Sequence, residues 1–148
     1  MGVQQDFRDL LALFNAHKVD YLIVGAHALA YHGAPRYTGD MDILVRPGPE
    51  NAHRIVKALE EFGFGSVGLT AEDFTLPDKV IQLGVAPVRM DIVTSITGVP
   101  WEEAAAGRVQ GNDGDIVVYF IGTKEFIRNK QALGRKKDQA DLAALGVE

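Results

Sequence analysis

The chain has no cysteine among its 148 residues. That excludes a disulfide framework, thiol catalysis and Cys-based zinc or iron–sulfur sites, and leaves the redox compartment open. Long hydrophobic runs are missing too: stretches such as Tyr21 to Val24 fall far short of the roughly 18–20 residues that cross a bilayer, so no membrane partner is expected. There is no basic excess. With 15 Lys and Arg against 20 Asp and Glu, the formal charge is −5, which argues against passive coating of nucleic acid while leaving room for a local basic patch. The opening residues, MGVQQDFRDL, show no basic region followed by an apolar run, and Asp6 stands where a myristoylation signal needs Ser or Thr. A cytoplasmic location is therefore the expectation. No repeat or low-complexity tract is present. What is present is an ordinary globular composition, 47% apolar, at a length that buries roughly 70% of the unfolded chain's surface around one core. One domain is expected.

Phe7, Leu10, Leu11, Leu13 and Phe14 recur at helical spacing behind Asp6 and Asp9, which predicts an amphipathic helix ending near His17. Asp20-Tyr-Leu-Ile-Val-Gly25 reads as a buried strand closed by glycine, with a helix from His27 to His32 directly after it. The turn-rich segment 32–39 leads into a second strand, Asp40-Met-Asp-Ile-Leu-Val45. A helix follows the Pro47-Gly-Pro49 turn, with Ala52, Ile55, Val56, Leu59 and Phe62 on its apolar face. After a variable stretch from Gly63 to Asp78, Val80–Val85 and Val88–Val93 read as a hairpin, and Pro100 starts a short helix that Gly107 ends. Ile116–Ile121 is the last predicted strand. Thr123 is the expected N-cap of the final helices, which break at Gly134. Five short strands among at least four helices imply an α/β or α+β layer.

Asp40 and Asp42 are two residues apart on a predicted strand, so both carboxylates share a face, roughly 6.6–7 Å apart along the backbone. Met41, Ile43 and Val45 then face the core. Two like charges on one pleat repel unless a cation lies between them, and aspartate oxygens suit Mg²⁺, which favours carboxylates plus substrate phosphates. The plainer alternative is that one acid caps the turn and the other pairs with Arg36 or Arg46. Asp91, inside Val88-Arg-Met-Asp-Ile-Val93, is a third strand acid; it either pairs with Arg89 or completes a site for divalent ions or for accepting a proton from an attacking hydroxyl. Gly25 ends the first strand 15 residues before Asp40, where a glycine lets the backbone approach a ligand and the next helix offers unpaired N–H groups to phosphate.

Gly25-Ala26, thirteen intervening residues, Asp40-Met-Asp42 and the distal Asp91 together resemble the signature of the DNA polymerase β-like nucleotidyltransferase superfamily. The stretch from Val24 to Asp42 is most similar to small bacterial members related to AbiE-type toxins and to stand-alone nucleotidyltransferases. Where the pattern has Gly or Ser after its first glycine, this chain has Ala26, which leaves only a backbone N–H. Further on, Glu125-Phe-Ile-Arg-Asn-Lys130, Arg135-Lys-Lys137-Asp138 and Asp141-Leu142 resemble the helical motif that follows the catalytic sheet. The resemblance implies a nucleotidyltransferase fold, α/β (α+β), with a mixed, mostly antiparallel sheet of about five strands flanked by helices. The domain would span residues 1–148: an N-terminal helix to residue 19, the catalytic sheet over 20–121, and C-terminal helices over 122–148. It further implies transfer of a nucleoside monophosphate from a triphosphate such as ATP to an acceptor hydroxyl, with Mg²⁺ or Mn²⁺ held by Asp40, Asp42 and Asp91. Gly25, Ala26, Arg36, Thr38 and Lys130 would contact the nucleotide, with Asp138 as the neighbour of Lys130. The acceptor is open among a small molecule, tRNA and a protein, and a homodimer or a partner protein would fit. The alternative is a nucleotide-binding or toxin–antitoxin partner module with little or no turnover.

Other signals carry less. Gly63-Phe-Gly65-Ser-Val-Gly68 matches G-x-G-x-x-G but follows a helix instead of a strand, so it reads as a loop. His27 and His32 are five apart, which does not set them on one helical face for zinc. Asn112-Asp113-Gly114-Asp115 reads as a hairpin turn, since the other positions of a calcium loop are missing. Trp101 beside Pro100 reads as packing before base stacking. Charge is unevenly placed: from Lys124 to Lys137 there are six basic residues and one acid.

Overall fold

The computed structural model describes residues 5–34, 40–64, 68–85 and 88–147. Six strands form one mixed sheet: β1 (Tyr21–Val24), β2 (Asp40–Val45), β3 (Val80–Val85), β4 (Val88–Val93), β5 (Val109–Asp113) and β6 (Ile116–Phe120), in the order β3-β4-β2-β1-β6-β5. The pairs β1–β2, β3–β4 and β5–β6 are antiparallel, while β2–β4 and β1–β6 are parallel. The mixed, mostly antiparallel sheet flanked by helices is thus as expected, with one strand more. The extra strand is β5, Val-Gln-Gly-Asn-Asp, whose single large apolar residue gives almost no alternation to read. It forms at the sheet edge because the Asn112–Asp115 turn folds it back on β6.

Helices α1 (Gln5–Ala16), α2 (Gly25–Tyr31), α3 (Pro49–Leu59), α4 (Trp101–Ala106), α5 (Thr123–Leu133) and α6 (Lys136–Ala144) complete the fold. Phe7, Leu10, Leu11 and Phe14 of α1 and Ala52, Ile55, Ala58 and Leu59 of α3 are all buried. They share one core with Met41, Ile43 and Val45, the face of β2 opposite the acids. Each large side chain fully buried there contributes about 1.5–3 kcal/mol relative to exposure. Asn51 in the first turn of α3 is fully buried. Its Oδ1 accepts from the Asp20 N–H at 2.8 Å, and its Nδ2 donates to the carbonyls of Asp20 and Arg46 at 3.0 Å. One side chain therefore ties the start of β1 to the end of β2 and sets their register. At the other edge, Arg8 of α1 pairs with buried Asp113 at 3.1 Å, which anchors the β5–β6 hairpin.

Three local expectations need correction. The N-cap of α5 is Gly122; Thr123 is the first helical residue, and its hydroxyl is 3.0 Å from His32 Nδ1. The apolar period of α3 extends to Phe62, but the regular helix ends at Leu59 and passes into a wide turn, Glu60–Phe64, that Gly63 closes at φ 117°. The stretch from Gly63 to Asp78 contains a 3₁₀ turn, Ala71–Phe74, capped reciprocally by Thr70 and Asp73, whose Phe74 is fully buried. The G-x-G-x-x-G match lies in part outside the described residues.

Candidate active site

The register of the sheet does the assembling. β1 and β2 pair with Val24 opposite Asp42, and β2 and β4 pair with Asp42 opposite Asp91 and Asp40 opposite Arg89. Residues side by side in adjacent strands point to the same face, so the two aspartates of β2 and the one of β4 project together beside the end of β1. That end is Gly25, at φ +68°, a left-handed conformation that costs other residues roughly 1–2 kcal/mol. A Cβ built on Gly25 would fall on Asp42 Oδ2 and lie 3.0 Å from its Cγ. Glycine is thus required twice here, for its backbone angle and for the space the Asp42 carboxylate fills. Ala26, next along, is buried. Arg36 and Thr38 lie outside the described residues.

The three acids differ in their surroundings. Asp42 is the most perturbed: its carboxyl is pushed up to about 6, first by burial and then by the negative charges of Asp91 and Asp40, with Lys130 pulling the other way. Protonated Asp42 donates a hydrogen bond to Asp91, which also accepts one from Gln82 Nε2 at 3.1 Å. Asp40 instead meets Arg89, whose Nη2 stands 3.0 Å from its Oδ2. Arg89 thus answers Asp40 across the strand and not Asp91 along it, because cross-strand neighbours sit closer than i, i+2 neighbours on one strand. The Nε of Arg89 is buried and has no hydrogen-bond partner among the described residues.

Lys130 of α5 acts on Asp42 through its charge, but its Nζ is engaged elsewhere. It lies 3.3 Å from both Asp138 Oδ1 and Asp141 Oδ2, and over the ring of Phe126. Asp138 is in turn gripped by Arg135, whose Nε donates at 2.6 Å and whose Nη2 donates at 3.1 Å. These bonds hold the Asp138 carboxyl down at about 2. The α5–α6 helices therefore carry a buried ion cluster that fixes where the Lys130 charge sits. Asp138 holds Lys130 in place through its Oδ1. Asp141, which completes the cluster, carries no signal of its own in the sequence beyond its place in the Asp141-Leu142 step.

Two histidines brace the same region. His32, at the end of α2, sits 2.7 Å from the Ile121 carbonyl through Nε2 and meets Thr123 through Nδ1. It links α2 to the loop that launches α5. His27, in α2, hydrogen-bonds the backbone of Asp40 and lies edge-on to Phe7, and burial pushes its pKa down. Neither is placed as a zinc ligand.

Among the described residues, no three His, Asp or Glu side chains are gathered into a set that would hold a metal ion as they stand. The Asp42–Asp91 pair nonetheless suits Mg²⁺, which takes one or two carboxylates and completes its shell with water and substrate oxygens. The donor set is the observation behind that fit: two carboxylates of neighbouring strands, Asp42 opposite Asp91, share one face beside the space that Gly25 leaves open.

No protein-family model matches the chain, and no curated protein matches its sequence. Solved structures do match its shape. A protein assigned as a nucleotidyltransferase from Thermotoga maritima superposes with a TM-score of 0.60 at 14% identity, over 93% of this chain and 88% of that one. The lincosamide antibiotic adenylyltransferase LnuA, solved with lincomycin bound, gives 0.57 at 15% identity over 98% and 97% of the two chains. An antigenic nucleotidyltransferase-like protein from Paracoccidioides brasiliensis gives 0.56 at 17%, over 95% and 72%. The six-stranded mixed sheet, with its acids beside the β1–α2 turn, is thus the nucleotidyltransferase fold.

Proposed function

We propose that the protein is a metal-dependent nucleotidyltransferase that moves a nucleoside monophosphate from a nucleoside triphosphate to an acceptor hydroxyl. One observation supports this above the rest: Gly25, Asp42 and Asp91 from three separate segments meet at one point of that fold, with the space for Asp42 left open by glycine. In this reading Asp42 and Asp91 would hold Mg²⁺ or Mn²⁺, with Asp40 joining them on release from Arg89. The bound ion would neutralise triphosphate charge and orient the α-phosphate. Gly25 and Ala26 present only backbone N–H groups there, so contact with phosphate oxygens needs no side chain. Lys130 adds a fixed positive charge close by, and Arg36 and Thr38 are the further candidates for nucleotide contact. Asp91 takes the proton of the acceptor hydroxyl as that oxygen bonds to the α-phosphorus. The bond from the α-phosphorus to the bridging oxygen breaks, and pyrophosphate leaves with the electron pair. Positioning and charge stabilisation supply most of the rate in such transfers.

The test is incubation with each α-labelled triphosphate, Mg²⁺ and cell extract. Label should enter an acceptor fraction with the wild-type chain and not with Asp42→Asn or Asp40→Ala, both of which should stay folded. Full transfer by either variant overturns the assignment. A second reading, a nucleotide-binding or toxin–antitoxin partner module of the same fold with little turnover, draws on Ala26, which brings no hydroxyl, and on the Arg89 hold on Asp40. Titration calorimetry separates the two, because triphosphate binding without label transfer supports the module.

A further inference from the structure

At the end of β1 away from Gly25 lies a cleft of about 530 Å³, within the range of small-molecule sites. Tyr21, in its wall, precedes Gly25 by four residues, about 13 Å of extended strand, so the cleft is set apart from the three acids. Val19, Tyr21, Ile116, Val117 and Tyr119 give it an apolar lining, with the two tyrosine rings edge to face at 5.9 Å. The polar groups inside are spent on one another. The Tyr21 hydroxyl donates to Asn15 Oδ1 at 3.1 Å, and Asn15 Nδ2 donates to the Val117 carbonyl at 2.7 Å. What remains for a ligand is apolar surface and charge.

The charged residues lining the cleft are Lys18, Asp20 and Arg108, and they do not balance. The one acid is already matched by Arg46, at 3.5 Å. Lys18 and Arg108 are exposed, and among the described residues neither pairs with a carboxylate. Arg108 lies instead over the Tyr119 ring, 5.1 Å from its centroid. Lys18 stands there against the preference of the backbone. Helix α1 closes in a Schellman turn, the Val19 N–H donating to the Phe14 carbonyl at 2.9 Å and the Lys18 N–H to the Asn15 carbonyl at 3.1 Å. Lys18 takes the left-handed φ of 58° in that turn, at the position where helices place glycine. A lysine held in such a conformation points to a use for its side chain.

We propose that this cleft binds a small aromatic carboxylate, its ring packed beside Tyr21 and Tyr119 and its anionic end met by Lys18 and Arg108. A ring extends the packing that the two tyrosines already make, and one acidic group suits two cations with no hydrogen-bonding set behind them. The proposal does not depend on the transferase reading. Calorimetric titration of the full chain with 2-naphthoate as the probe should show saturable binding. The uncharged 2-naphthylmethanol should bind more weakly by about threefold or more. Amide shifts followed by NMR should move at Asn15, Lys18 and Tyr119 and stay in place at Gly25 and Asp42. Lys18→Gly and Arg108→Gln should each weaken naphthoate binding roughly three- to fivefold. Because glycine adopts the left-handed angle freely, Lys18→Gly should also unfold at a higher temperature than wild type, which separates lost affinity from lost fold. Lys57→Gln removes an equal charge from exposed α3 and should change nothing. AMP, whose sugar and base need polar partners, should not displace the naphthoate. Absence of saturable binding, equal affinity for 2-naphthylmethanol, shifts centred on Gly25 and Asp42, unchanged affinity in either cleft variant, an equal loss in Lys57→Gln, or displacement by AMP each overturns the site.

Discussion

Replacing Asp42 by Asn should make the folded protein more stable at alkaline pH and change nothing in acid. The carboxyl of Asp42 rises from its ordinary 3.8 to about 6 because it is buried beside two other acids. An acid raised on folding prefers the protonated state in the native protein. Its share of stability is therefore fully present below about pH 4 and is lost as pH climbs through about 6. At about 1.4 kcal/mol per pH unit, the ionised carboxylate costs the native state at most about 3 kcal/mol at pH 8, and solvent reaching the site reduces this to about 1–2 kcal/mol. Asparagine keeps the planar shape that fits against Gly25 and removes the charge. Thermal unfolding followed by circular dichroism should place the Tm of Asp42→Asn roughly 2–8 °C above wild type at pH 8, with the two curves converging near pH 4. A variant no more stable than wild type at pH 8, or one displaced equally at every pH, would refute the charge-crowding argument.

Other outcomes follow from the same structure. Gly25→Ala should cost about 1–2 kcal/mol through its left-handed backbone and, by pushing the Asp42 carboxylate aside, abolish label transfer; Tm and the α-label assay together check both effects. Asn51→Ala removes three buried hydrogen bonds and should destabilise by about 2–3 kcal/mol in urea titrations. Asp138→Ala leaves the largely buried Lys130 with Asp141 alone and removes the partner of half-exposed Arg135, and a loss of about 2 kcal/mol is expected. Because the Asp138 carboxyl is held at about 2, its contribution is present across the neutral range and disappears only as pH falls towards that value, which acid unfolding of the two proteins should show. Mg²⁺ with a non-hydrolysable ATP analogue should raise Tm more at pH 8 than at pH 5, since the cation competes with the proton for Asp42.

The acids were legible in the sequence because alternation and spacing decide which face a strand residue occupies. Asp40, Asp42 and Asp91 stand out as charges in apolar strands, and the parallel pairing of β2 with β4 puts them side by side. What could not be read was who answers each charge. Arg89 has Asp91 two residues away in sequence, yet pairs with Asp40, because register across strands is a property of the sheet and not of the strand. In the same way the resemblance sets Asp138 beside Lys130, but only the fold shows that the turn at Gly134 brings both Asp138 and Asp141 back onto its Nζ. Strand β5 was missed because edge strands bury little and need little hydrophobic pattern. Phe74 shows the converse: a single aromatic in a polar stretch gives no period, but it is enough to bury a turn against α3.

The position of β6 has a consequence for how the molecule is made. This strand sits inside the sheet, between β1 and β5, yet it is encoded nearly a hundred residues after the partner it pairs with, Ile23 opposite Phe120. During synthesis the chain emerges from its N-terminus, so the β1–β2 hairpin and the later β4 can bring the three aspartates together while one flank of β1 is still unpaired. Arg89 arrives with β4 and meets Asp40, but Lys130, whose charge acts on Asp42, has not yet been added. The Asp42–Asp91 pair is thus assembled before the Lys130 charge, with Arg89 already taken by Asp40, and cations in the surrounding solution can relieve it until α5 arrives. Early folding of this chain should for that reason respond to divalent ion concentration even where the finished protein does not.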